Sequence, residues 1–345
     1  MDDSQYGIRD RRGHWRAFKP LRYPPVFVWP AQPKALARWL FGHDGYMLPW
    51  NLFYASIALL YWLYLVPSMD TMKTLTFDWP IYLLICNAAI LFLVTGGLHL
   101  YLYIQRAQGT QFKHNAQWPS KNNSAFLFRN QNVDNFIWSF ISGVPIWTAF
   151  EVLLLWSFAN GYIPFVSFNE HPIYLAVLFL LVPIWRGGLH FYVTHRILHI
   201  PTLYRWVHKL HHNNVNPGPW TGLAMHPVEQ VFFYSSVLIY FIVPAHPLIV
   251  IFEGIHASLS PGIGHSGFDR IILGRNTSVT TYDRFHYLHH KYFECNYGLA
   301  LIPLDKWFGT FHDGTEAADK RMNERYMDRS RRYAPKKTIH AGTSG

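Results

Sequence analysis

The stretch from 195 to 212, HRILHIPTLYRWVHKLHH, holds His195, His199, His208, His211 and His212, and HYLHH at 286–290 repeats the HxxHH spacing with His286, His289 and His290. Residues three and four apart share a helix face, so each cluster would present two or three imidazoles in one direction. An isolated histidine is usually satisfied by hydrogen bonds. Clustered protonatable rings repel unless something holds them neutral and aligned, and a metal ion does both. Structural zinc closes with four ligands, usually including thiolates, so eight imidazoles exceed one site and predict two metals. Imidazole suits zinc, copper and iron alike, which leaves the metal open.

The elements that must position these rings are strongly apolar. The 345 residues are 50% hydrophobic, 18% aromatic and only 14% charged. Four apolar runs, 48–66, 81–103, 136–159 with Glu151 as its only charge, and 173–185 continuing past Arg186 to Leu189, predict membrane spans of about 20 residues each. Cys86 and Cys295 offer neither a disulfide framework nor a four-thiolate cluster. No cleavable signal peptide is visible, so the first span is expected to act as the insertion signal.

A net charge of +10 invites a nucleic-acid role, but its distribution fits a membrane protein better. Eight Lys/Arg precede the first span, four lie between the second and third, and none but Arg186 falls between Arg129 and Arg196. This positive-inside pattern predicts four spans with both termini cytoplasmic. The expected organisation is a basic cytoplasmic arm over 1–46 lying against the membrane, transmembrane helices over 47–185, a helical histidine-rich region over 186–315, and a basic tail over 316–345. The apolar segment 231–252 is interrupted by PAHP at 244–247. Because the two HxxHH clusters must lie on one side to share metals, and each half of about 13 residues reaches only about 20 Å, a re-entrant helical hairpin is expected there. The fold class is therefore an all-α integral membrane protein with about four spans, this hairpin and a cytoplasmic helical domain.

HRILH, HKLHH and HYLHH resemble the three histidine boxes of the sterol desaturase and fatty acid hydroxylase superfamily of membrane-bound non-haem di-iron oxygenases. The resemblance covers 186–312 and includes HPVEQ at 226–230, HSGFD at 265–269 and FECNYGLALIPLDKWFGT at 293–310. It implies that His195, His199, His208, His211, His212, His286, His289 and His290 are iron ligands, with His265 as a further one. Asp269 is a candidate ligand or a partner that holds an imidazole tautomer. His226 with Glu229 is a candidate to orient a ligand, and His256 is a candidate outer residue. HSGFD is most similar to the sterol C4-methyl oxidase version, and the short first box is similar to that of sterol C5-desaturases. The family commonly has an Asp shortly before the first box, where this chain has WRGGLHFYVTH, so no acidic role is assigned there.

The implied reaction is O2-dependent hydroxylation or desaturation of a lipid C–H bond, with a sterol or sterol-like substrate. A fatty-acid, sphingolipid or carotenoid hydroxylase is the alternative within the superfamily, and a non-catalytic metal- or haem-binding membrane protein is the alternative outside it. Aromatic residues near the boxes, Tyr204 and Phe233 among them, are candidates to line a substrate channel. No dinucleotide-binding GxGxxG follows a strand and no four-cysteine site is present, so electrons are expected from an external cytochrome b5 or ferredoxin type donor. The expected location is the endoplasmic reticulum membrane in a eukaryote or the inner membrane in a bacterium.

Overall fold

Apolar segments in hydrocarbon must satisfy every backbone N–H and C=O internally, and a helix does so. In the computed structural model, which describes residues 1–333, helices α1 (Pro33–Phe41) and α2 (Leu52–Tyr64) lead into α3 (Asp78–Ile104), α4 (Gln131–Ala159) and α5 (Pro172–Leu198). They are followed by α6 (201–212), α7 (Pro227–Tyr234), α8 (Pro247–Gly264), α9 (Asp283–Tyr292) and α10 (Glu316–Tyr333). Sheet among the described residues is confined to two short antiparallel pairs, β1 (Gly7–Arg9) with β2 (Trp15–Ala17) and β3 (Arg270–Ile272) with β4 (Ser278–Thr280). The expected tail is helical through α10, and its remainder, 334–345, lies outside the described residues.

The chain is an all-α membrane protein in which α3, α4, α5 and α8 are long and apolar enough to cross a bilayer. This set differs from the four apolar runs in two places. The first run yields the 13-residue α2, entered through the π-helical turn Met47–Asn51 in which Leu48 alone is extended (φ −107°, ψ 138°), and it is shorter than the four helices above. The hairpin at PAHP does form, but its arms are unequal: α7 and a 3-10 segment, Ser235–Phe241, precede the turn, and the 18-residue α8 follows it. The apolar run stops at Glu253, yet the helix continues, because that carboxylate is buried and accepts a 2.6 Å hydrogen bond from Tyr240.

Helix α8 is the axis of the fold. It packs against α2, α3, α4, α5 and α9, and 78% of its apolar window is buried, against 22% for α3. The outer helices turn large side chains such as Ile85, Leu93 and Ile173 outward, as lipid-facing surfaces do. Polar contacts join them inside: Asn87 on α3 donates to Glu151 (2.6 Å) and Thr148 (3.0 Å) on α4 and accepts from Tyr61 on α2 (3.0 Å). Glu151 is thereby paired within the bundle, as an intramembrane carboxylate must be.

The N-terminal arm packs onto the histidine region. Trp15 N bonds His114 O, Leu21 N bonds Asp313 O, and Arg284 at the start of α9 donates to Lys19 O at 2.7 Å.

Candidate metal centre

Three helical segments and one helix end bring the histidines together. Helix α5 runs nine residues beyond Leu189, so His195 sits on the span itself and His199 caps it. Pro201 then opens α6, where its missing N–H costs nothing, and the redirected helix carries His208, His211 and His212. Helix α9 carries His286, His289 and His290, and His265 follows the last turn of α8.

The nine imidazoles form two groups: His195, His199, His208, His212 and His289 in one, His211, His265, His286 and His290 in the other. Within each group the donor nitrogens lie within 4.8 Å of one another. Each HxxHH motif is split between the groups. His208 and His212, an i,i+4 pair, enter the first group while His211 enters the second; His286 and His290 enter the second while His289 enters the first. Helical spacing gives the reason, since positions i and i+4 stack while i+3 leans to the side.

Backbone carbonyls fix how the rings point. His195 Nδ1 meets Tyr297 O at 2.7 Å, His289 Nδ1 meets Cys295 O at 2.7 Å, His265 Nδ1 meets Pro261 O at 2.9 Å and His211 Nδ1 meets Ala224 O at 3.3 Å. A carbonyl only accepts, so each of these Nδ1 atoms carries the proton and the Nε2 lone pair points inward. His289 Nε2 then faces Nε2 of His199 and of His212, both at 3.1 Å, and His265 Nε2 faces that of His290 at 3.2 Å. Inward lone pairs at this spacing suit a cation, and the donor set fits a divalent transition metal in each group.

Burial and mutual repulsion hold the rings neutral. Burial, followed by the His195 ring, lowers His199 to about 2, and burial, followed by His265, lowers His211 to about 3. His208 Nδ1 lies 2.8 Å from Glu229 Oε1; burial pushes the Glu229 carboxyl up and the imidazolium form of His208 down. A cation at His208 Nε2 would favour the carboxylate and its hold on Nδ1–H.

Of the outer candidates, only Glu229 touches a donor ring. His226 caps α7 through its Nδ1, which accepts from Val228 N at 3.2 Å. His256 accepts from Arg186 Nε at 3.1 Å, and Asp269 lies among Arg284, Arg270 and Asp44; neither joins a donor group. Sequence reasoning missed Asp305, whose carboxylate accepts from Tyr297 N and Gly298 N, both at 2.8 Å, and so fixes the carbonyl that orients His195. It also missed the four carbonyls, which no side-chain pattern reveals. Gly222 lets two of these segments approach, since a Cβ there would lie 2.5 Å from the Pro261 carbonyl carbon. The half-buried His199 opens on a depression of about 560 Å³ lined by Tyr204, Arg205, Lys209, Phe293 and Tyr297.

Residues 176–310 match the fatty acid hydroxylase family. A Delta(7)-sterol 5(6)-desaturase of Gibberella zeae is 30% identical over 140 residues, covering 40% of this chain and 42% of that protein. Methylsterol monooxygenase 1 of Gallus gallus is 32% identical over 122 residues, covering 34% and 41%, and that of Danio rerio is 30% identical over 138 residues, covering 39% and 44%. The chain thus spans less than half the length of these relatives. No solved structure matches it. The segment that carries the histidines thus matches the fatty acid hydroxylase family and is similar to sterol desaturases and methylsterol monooxygenases.

Proposed function

We propose that this protein is a membrane-embedded oxidoreductase that uses O2 and two non-haem irons to hydroxylate or desaturate a C–H bond of a sterol or sterol-like lipid. The observation that carries the proposal is the meeting of nine imidazoles from four segments as two compact donor groups. In this proposal His195, His199, His208, His212 and His289 hold one iron, and His211, His265, His286 and His290 hold the other. An iron pair, when bound, supplies O2 activation and hydrogen removal from an unactivated C–H bond, which no side chain can perform.

The chain's own residues position and enclose. Tyr297 O and Cys295 O keep the Nε2 atoms of His195 and His289 aimed inward, and Glu229 holds the His208 Nδ1 proton. Phe191 stands 4.9 Å from the His195 ring and 5.9 Å from the His286 ring, giving a lipid an apolar approach from the bilayer side. The three relatives above are named for sterol substrates, which supports that class here. The Lys/Arg distribution supports a cytoplasmic location for the histidine-bearing ends and both termini. Arg205 and Lys209 at the depression beside His199 would meet an acidic electron donor of cytochrome b5 or ferredoxin type. A bis-histidine haem needs only two axial imidazoles and leaves the other rings without a role.

The test is metal content of detergent-purified protein under ferrous conditions, beside His211→Ala and His289→Ala, with lipid product analysis of expressing cells. About two irons per chain, reduced in each variant, and a new oxidised or unsaturated sterol are expected. Haem, a single zinc, or metal unchanged in both variants would overturn the proposal.

A further inference from the structure

Arg186 is the one Lys/Arg between Arg129 and Arg196, and it lies inside α5 with 2% of its surface exposed. A guanidinium at such a place must be paired, and intramembrane charges usually serve a ligand or a pathway. Two of its nitrogens are accounted for: Nε donates to His256 Nδ1 at 3.1 Å and Nη2 to Ser260 Oγ at 3.0 Å. Its Nη1 is buried with no hydrogen-bond partner.

Across from it on α8, Glu253 is fully buried and within Coulombic reach of Arg186. Tyr240 donates to its Oε2 at 2.6 Å and the Ser236 hydroxyl lies within reach of the same carboxylate, while among the described residues Oε1 has no partner at hydrogen-bond geometry. A leftover cationic donor and a leftover anionic acceptor therefore remain in one buried cluster. Buried polar atoms are rarely left so, because each costs its full desolvation.

We propose that Arg186, Glu253 and Ser236 form an anchor for the hydroxyl group of a membrane lipid alcohol. A hydroxyl can accept from a guanidinium N–H and donate to a carboxylate oxygen, which are the two kinds of group left over here. A carboxylate is disfavoured, because the Arg186 charge is already balanced by Glu253 and a second anion would face that carboxylate. The anchor leads toward the metal centre: the Arg186 guanidinium lies 5.2 Å from the Phe233 ring, Phe233 lies 6.3 Å from Phe191, and Phe191 borders His195 and His286. The π-helical turn Ile184–His190, which carries Arg186, is a departure from regular helix often found at functional sites. Resting on the lipid-oxidising reading above, the anchor fixes the polar end of the substrate while its carbon skeleton runs past the two phenylalanines.

The experiment measures binding of two radiolabelled pairs, cholesterol with its methyl ether and oleyl alcohol with its methyl ether, to the metal-loaded wild-type protein in nanodiscs. An alcohol binding about ten- to a hundredfold tighter than its ether, for either pair, is expected, and which pair shows it separates a sterol source from a long-chain one. The preference should shrink several-fold in Arg186→Lys, which keeps the charge but not the second donor edge, and in Ser236→Ala, with ether binding unchanged. Equal binding of alcohol and ether in the wild type, or an intact preference in both variants, would overturn the anchor. Metal content is read on the same samples: a hydroxyl preference without iron would sink the oxidase proposal and leave the anchor standing.

Discussion

The two donor groups are built from the same motif and differ in almost everything around it. The first takes i,i+4 pairs from α5 and α6 and one ring from α9; the second takes one pair from α9 and single rings from α6 and the end of α8. The first includes the half-buried His199 beside an open depression, and the Glu229 carboxylate holds one of its rings. The second is wholly buried and its oriented rings rest on carbonyls alone; among the described residues Nδ1 lacks a partner on His286 and His290 there, as it does on His212 in the first group. One group is thus tuned and accessible, the other enclosed. Because each HxxHH motif feeds both, neither group can form unless α6 and α9 are docked in register.

The sharpest way to break the comparison is to empty one group at a time. His212→Ala should lose about one metal per chain and leave the second group loaded, whereas His290→Ala should do the reverse, and both should abolish turnover. Metal analysis with iron spectroscopy distinguishes the two. Equal loss of both metals in each variant would mean that the groups are one cooperative unit.

Acid should act next most strongly, and here the two groups should behave alike, because burial lowers the rings of both. Burial, the first cause for both rings, lowers His211 to about 3 and His265 to about 4. Unfolded, each titrates near 6.5, so at pH 7 both states are neutral and no proton is exchanged on unfolding. As pH falls below about 6.5 the unfolded chain takes up protons that the folded chain refuses, and each such ring costs about 1.4 kcal/mol per pH unit down to its folded value. The metal-free protein should therefore keep a constant Tm from pH 8 to 7 and lose stability steadily from pH 6.5 to 5. A flat profile would show these rings to be solvated.

How much of this was legible in the sequence follows from what each feature depends on. The eight histidines of the boxes, the helical character and the turn at Pro244–Pro247 could be read because they rest on spacing, local apolar content and proline, whereas His265 came only through the family resemblance. The division of each motif between two groups could not, since it depends on how α6 and α9 face one another. Asp305 and the carbonyls of Tyr297, Cys295, Pro261 and Ala224 carry no motif: a carbonyl looks the same in every residue. The length of α8 was hidden because Glu253 ends the apolar run, although its partner Tyr240 keeps it inside the helix bundle. His256 looked like part of the metal region by proximity in sequence, but on α8 it faces Arg186.

Asp305 probes the loop that serves the first group. It satisfies Tyr297 N, Gly298 N and the Thr310 hydroxyl, the last at 2.6 Å. Asp305→Ala strands two buried N–H groups at about 1–3 kcal/mol each and frees the carbonyl on His195. Thermal melting should show the stability loss, and metal titration should show weaker binding in the first group with the second unchanged.

Glu229→Gln is the mildest change and tests whether the carboxylate is what makes the first group different. Glutamine keeps the size and an oxygen that can still accept from His208 Nδ1–H, so the fold and the ring orientation should survive. It removes the negative charge that raises the basicity of His208, and losses of such partners typically cost about ten- to a hundredfold in metal affinity or activity. Among the described residues the second group has no hydrogen-bonded carboxylate, so its affinity should not move. A competition titration with a chelator that resolves two affinities reads both at once. If the weakened site proves to be the one lost in His290→Ala, the carboxylate acts through the whole histidine cluster, and the separation into a tuned and an enclosed site fails.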